Sequence, residues 1–327
     1  MDEPILRLQN LHTAFHTKAG EVQSVRGVTF DVAQGEIVGV VGESGCGKSV
    51  TAASILRVLP ENAWHSEGKI LFMGRDLLTL SPSQMRAVRG RQISMIFQDP
   101  MTSLSPLMRI GRQIEEAILQ SIDGVTRAKA RERALDMLRR VHIPAPESHY
   151  NCYPHELSAG MRQRICIART LMVNPQLLIC DEAISALAVS IQAQVVNMLA
   201  DFQQELDLTY LFIAHDLSMV RHVSHRVGVM HPGHLMEVCE SEEIYRHPLH
   251  PYTQGLLASV PVADPRTAQA RQTPALEGEV PSPLNPPKGC PFHTRRPHAK
   301  AICREQMPQM RDAGGGHMVC CHLAAGN

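Results

Sequence analysis

Eight consecutive residues constrain this chain more than any others. Gly42-Glu43-Ser44-Gly45-Cys46-Gly47-Lys48-Ser49 follows the apolar run Glu-Ile-Val-Gly-Val-Val at 36–41 and opens a helical pattern from Lys48 to Leu59, closed by Pro60. The order is strand, tight loop, helix. Glycines let successive backbone N–H groups converge on a phosphate group, and the new helix turns its positive end toward it. Lys48 is then placed for the β and γ oxygens and the Ser49 hydroxyl for Mg²⁺. The motif specifies nucleotide binding on an α/β scaffold, and by itself leaves kinase, GTPase and motor open.

Further apolar runs recur at Ile93–Phe97, Leu177–Cys180, Tyr210–Ala214 and Val227–Met230. Each is too short for a helix and apolar throughout, which suits buried parallel strands. About 80 residues of helical periodicity separate the first two, including Arg127–Val141 and Met161–Met172, so a helical insertion is expected near residues 100–172. Only 13 of 327 residues are aromatic, which leaves the core to aliphatic side chains. Three polar sites close these runs: Gln98, the carboxylate pair Asp181-Glu182, and His215. In that setting Asp181 is suited to hold Mg²⁺ and Glu182 to polarise an attacking water.

Composition removes other classes. The 32 basic residues balance 32 acidic ones, so no net charge steers the chain to nucleic acid. No run reaches the ~20 apolar residues that span a bilayer, and Met1–Asn10 lacks the basic flank and apolar core of a signal peptide. A cytoplasmic chain with reduced thiols is expected. Twelve of the 22 prolines fall between Pro248 and Pro308, and four of nine cysteines in the last 38 residues, so the final quarter reads as a small appended module. The histidines at 222, 225, 231 and 234 read as scattered surface residues.

Taken in order, the phosphate loop, Gln98, Leu157-Ser158-Ala159-Gly160-Met161, Asp181-Glu182 and His215 resemble the ATP-binding subunit of ABC transporters over roughly residues 5–245. The resemblance implies a P-loop ABC ATPase fold: a mostly parallel sheet core, an antiparallel β part and a helical insertion. It implies two subunits sandwiching two ATP molecules, with Ser158, Ala159, Gly160 and Met161 serving the partner's ATP. Gln98 would couple Mg²⁺ and γ-phosphate to the membrane subunits. Glu182 would be the general base, His215 the switch histidine, and Ser49, Gln98 and Asp181 the Mg²⁺ set. Phe15 would stack on adenine.

Gly42-Glu43-Ser44-Gly45, Phe97–Leu104 and His250–Leu257, with the Pro-rich extension over 246–327, resemble the oligopeptide/dipeptide and nickel importer subfamily. That implies a second ATPase subunit, two permeases, an extracytoplasmic solute-binding protein, and a peripheral place on the cytoplasmic face of the inner membrane. A regulatory subunit that hardly hydrolyses ATP and a non-transport ABC ATPase are the competing readings.

The sequence departs from the family's pattern at three places. Ala159 stands in the signature where Gly is usual, and Ala188 ends Ser185-Ala186-Leu187-Ala188 where the D-loop carries Asp. Arg296 stands where the extension's pattern carries a cysteine, leaving Cys290, Cys303, Cys320 and Cys321 as ligands for a [4Fe–4S] cluster, with His293 as a substitute or a structural Zn²⁺ as the alternative. Cys46, at a helix N-terminus, is expected to be partly ionised and reactive toward alkylators.

Overall fold

The structure is a computed structural model that describes residues 3–184, 187–260, 278–296 and 299–324, with Pro100 and Met101 described by their backbone alone. The chain divides into two compact units, residues 1–78 with 212–327, and residues 79–211.

In the first unit, Leu6–Thr17 lies antiparallel between Gly20–Val32 and Ala63–Phe72, with Leu6 opposite both Val32 and Phe72. Leu6, Leu8, Leu11 and Ala14 of this strand are fully buried. Irregular register at Leu8/Leu11 and Thr13/Ala14 shifts the inward phase, so a strict two-residue alternation never builds up. That is why the antiparallel part comes from the family likeness rather than from a hydrophobic pattern.

The same unit holds the strand behind the phosphate loop. Ile37–Val41, buried at all five positions, runs parallel to Arg226–His231, from Val38↔Arg226 to Val41↔Val229. Arg226–His231 turns back through Gly233 into antiparallel His234–Glu240, and that strand pairs with Met318–Val319 of the extension. Arg311–Asp312 completes the row beside Met318–Val319. The Pro-rich tail therefore contributes two short strands, while helix Ala301–Glu305 buries Cys303.

In the second unit, Ile93–Ile96 and Leu177–Asp181 pair in parallel from Ile93↔Leu177 to Ile96↔Cys180. Between them come helices Ile110–Ser121, Arg127–Arg140 and Ala159–Leu171. Ile110, Ile114 and Ile118 form one buried stripe, and Ala130, Ala134, Met137 and Leu138 another. Thr126 and Ser158 cap the latter two helices, each hydroxyl accepting from the backbone N–H three residues on. Helix Val189–Leu206 follows, then strand Thr209–Ala214, whose first three residues belong to this unit and whose last three belong to the first.

Most segments match their sequence reading to within a residue or two. The exception is the helix opened by Lys48, which stops at Leu56 rather than Leu59. Arg57 adopts φ 51°, and its N–H caps Ala53 and Ser54 carbonyls, so the helix closes before Pro60 acts.

Candidate nucleotide site

The phosphate loop takes the backbone path its glycines predict. Gly47 has φ 102°, and a Cβ there would lie 2.4 Å from the Ser24 carbonyl. A Cβ on Gly42 would lie 2.2 Å from the Met230 carbonyl, so the neighbouring strand passes where any side chain would stand. Lys48, only 4% exposed, donates from Nζ to the Gly42 carbonyl at 2.8 Å and to the Glu43 carbonyl at 3.2 Å. Its ammonium therefore sits over the loop that its own helix follows. Ser44, Gly45 and Ser49 face solvent.

Cys46 overturns the reactive-thiol expectation. Its side chain is fully buried with Sγ 3.9 Å from Lys48 Nζ. Burial, the largest influence, pushes its pKa up and outweighs the nearby ammonium, so the thiol stays protonated.

In the second unit the parallel pairing Ile96↔Cys180 has a direct consequence. Position 98 lies two residues beyond Ile96 and position 182 two beyond its partner Cys180, so the side chains meet: Gln98 Nε2 donates to Glu182 Oε2 at 2.9 Å. Asp181, 7% exposed, ends its strand. Glu182 turns abruptly into φ 45°, a left-handed conformation that a non-glycine residue adopts only when its surroundings impose it. The Cys180 thiol beneath is pushed far up by burial and by the Asp181 charge.

Ser158 is the N-cap of its helix, accepting from Met161 N at 3.3 Å, and Ser158 and Ala159 are exposed while Gly160 and Met161 are half-buried. Ala188 is the N-cap of Val189–Leu206 and offers no side-chain cap bond. Of the D-loop, Ser185 and Ala186 lie outside the described residues. His215 is exposed just past strand Thr209–Ala214, in the unit that carries the phosphate loop. Phe15, half-buried, pairs across its strand with Val22 and Ala63.

The surface reading holds for His222 and His225, which are exposed, and needs correction at His231 and His234. His231 is fully buried against Tyr252 and Phe292, with ring centroids at 4.3 and 5.5 Å. His225 accepts from Ile37 N at 3.0 Å. Burial lowers His231 to about 3 and His234 to about 4, so both are neutral. Each sits at a strand end whose inward side is filled, a fact that spacing does not reveal.

The expected iron–sulfur cluster finds no support in the extension. Cys320 Sγ donates to the Pro308 carbonyl at 2.9 Å, and the rings of His293 and His322 engage the carbonyls of Cys290 and Gln306. Burial raises Cys290 to about 11 and Cys320 to about 12, so both are thiols in the metal-free chain. Among the described residues no three metal-ligating side chains are arranged to hold a metal ion, so the zinc alternative finds no support either.

The residues missed by sequence reasoning are Tyr252 and Arg295. The Tyr252 hydroxyl accepts from Glu43 N at 3.0 Å, and Arg295 forks onto both Glu43 carboxylate oxygens at 2.5 and 3.0 Å. Tyr252 lies in the His250–Leu257 motif and Arg295 beside the anomalous Arg296, but more than 200 residues separate them from Glu43, and only the fold closes that gap.

Family comparisons agree with this geometry. Residues 25–185 match the ABC transporter model, and residues 236–303 match the model of the oligopeptide/dipeptide transporter C-terminal region. The chain is 48% identical to the oligopeptide transport ATP-binding protein AppF of Bacillus subtilis, over 94% of this chain and 92% of that one. It is 45% identical to the dipeptide transport ATP-binding protein DppD of Lactococcus lactis, over 97% of this chain and 90% of that one. Among solved structures, an ATP-binding cassette dimer in a post-hydrolysis state with ADP and Pi superposes with a TM-score of 0.66 at 23% identity, covering 72% of this chain and 98% of that one. The cassette fold, the ordered motifs and near full-length likeness establish that this chain belongs to the ATP-binding subunits of ABC transporters, whose nucleotide is ATP and whose cation is Mg²⁺.

Proposed function

We propose that the chain is the ATP-hydrolysing subunit of a peptide importer, with residues 1–245 as its ATPase domain and 246–327 as an importer-type extension. The observation that carries this reading is the near full-length likeness to oligopeptide and dipeptide transport ATP-binding proteins, extending through the C-terminal region at 236–303. In it, the loop Gly42–Ser49 binds the phosphates and Phe15 stacks on adenine. Ser49, Gln98 and Asp181 would hold Mg²⁺, which would offset phosphate charge. Glu182 takes the proton of the attacking water, and His215 contacts the γ-phosphate from the phosphate-loop unit. Ser158, Ala159, Gly160 and Met161 serve the ATP held by a second ATPase subunit. Two permeases and a solute-binding protein complete the assembly. The likeness to transporter subunits supports a peripheral place on the cytoplasmic face of the membrane, and among the described residues no helix is long and apolar enough to cross one.

The test is to purify the chain with its native partners, reconstitute the assembly in vesicles and measure ATP hydrolysis with solute-binding protein loaded with oligopeptides. Stimulation by loaded binding protein supports the reading. Co-purification with nucleic acid in place of membrane subunits would overturn it.

A second reading, a subunit that binds ATP and hydrolyses it weakly, is favoured by the uncapped Ala188 helix at the D-loop. In that case Glu182→Gln leaves the turnover of the complex unchanged.

A further inference from the structure

One residue of the phosphate loop is gripped from three directions. Lys48 donates to the Glu43 carbonyl at 3.2 Å, the Tyr252 hydroxyl accepts from the Glu43 N–H at 3.0 Å, and Arg295 takes both carboxylate oxygens. Two of these grips come from beyond residue 245. They share one floor, because the Phe292 ring lies 5.4 Å from Tyr252 and 5.5 Å from His231. The Arg295 side chain is 4% exposed and that of Glu43 25%, so the fork is largely withdrawn from water. Bidentate guanidinium–carboxylate pairs fix direction as well as charge.

The chemistry of the loop makes this pair more than a brace. Backbone N–H groups that converge on a polyanion are opposed by any carboxylate in the same loop, and the opposition is strong where water is scarce. We propose that Arg295 is a positioning residue for nucleotide binding: it neutralises the Glu43 carboxylate and holds it so that the loop presents its N–H groups and Lys48 to the phosphates. The extension thereby acts on ATP affinity through a single ion pair. This inference rests on the ATP-binding role proposed above.

The test uses the complex purified with its native partners and reads both equilibrium binding of ATP and steady-state hydrolysis. Arg295→Ala raises Kd and KM for ATP about tenfold, while kcat at saturating ATP stays within about twofold. Arg295→Lys, which keeps the charge but loses the fork, shows about a threefold effect. Adding Glu43→Gln to Arg295→Ala restores affinity to within about twofold of wild type, because the repelling carboxylate is gone. A brace alone gives no such rescue, so lost affinity without recovery overturns the proposal, as does unchanged affinity in Arg295→Ala. If Arg295→Ala does not accumulate, the cycle is run with Arg295→Lys and must show the same rescue. Wild-type complex that binds no ATP defeats the proposed function itself, whereas wild-type binding with an indifferent Arg295→Ala defeats this inference alone.

Discussion

Gln98 donates its side-chain amide to the Glu182 carboxylate at 2.9 Å, joining the ends of two parallel strands that are 84 residues apart in sequence. The proposed general base is thus oriented by the very residue that the family likeness assigns to coupling with the membrane subunits. Gln98→Ala is expected to slow hydrolysis about tenfold, since it removes both the hydrogen bond that orients Glu182 and one proposed Mg²⁺ ligand. Glu182→Gln keeps shape and polarity but removes the proposed base. It should lower turnover by about 10²–10⁴ with unfolding stability within about 0.5 kcal/mol of wild type. Single-turnover hydrolysis and equilibrium nucleotide binding, measured side by side, check both.

The Cys46 thiol is buried and its pKa raised, so its thiolate fraction near neutral pH is below that of an ordinary cysteine. Alkylation of Cys46 in the native chain at pH 7.5 should run at least about tenfold slower than in the chain unfolded by urea. Mass spectrometry of the peptide carrying Cys46 measures both rates, and equal rates would contradict the burial argument.

His231 and His250 are both lowered to about 3 by burial, from an ordinary value of 6.5. Their neutral forms are favoured in the fold, so between pH 3 and 6.5 the unfolded chain binds more protons. Stability is full above about pH 6.5 and declines as pH falls through that window. From pH 7 to pH 5 each histidine should remove about 1–2 kcal/mol. Urea unfolding of wild type and of His231→Phe at both pH values checks this; the variant should show a smaller drop.

Ala188 starts an 18-residue helix without a side-chain cap. Ala188→Asp should add about 1 kcal/mol of stability by accepting a backbone N–H in the first turn. Thermal unfolding reads that gain. Turnover of the assembled complex reads something separate: an increase would place the missing carboxylate among the causes of weak hydrolysis, and no change would remove the D-loop from that account.

The sequence displayed the nucleotide loop because its function demands contiguous residues: the glycines, Lys48 and Ser49 are all set by one strand-to-helix turn. The strands of the parallel part were equally legible, being buried on both faces and so uniformly apolar, as in Ile37–Val41. The antiparallel strands were hidden by irregular register in Leu6–Thr17, and the Glu43–Arg295 pair by its span along the chain. Cys46 and His231 were misread for a common reason. Local position predicts what charge a group meets, but only the packed neighbours decide how much water it loses, and for both residues that loss dominates.

Strand His234–Glu240 is flanked by Arg226–His231 on one side and by Met318–Val319 on the other. During synthesis the first neighbour precedes it by a few residues, whereas the second emerges almost 80 residues later. Until then its outer edge offers unpaired N–H and C=O groups, a template for another chain. Once folded, the tail covers part of that edge, and versions that stop before residue 318 are expected to aggregate more readily than the full chain, whatever their ability to bind ATP.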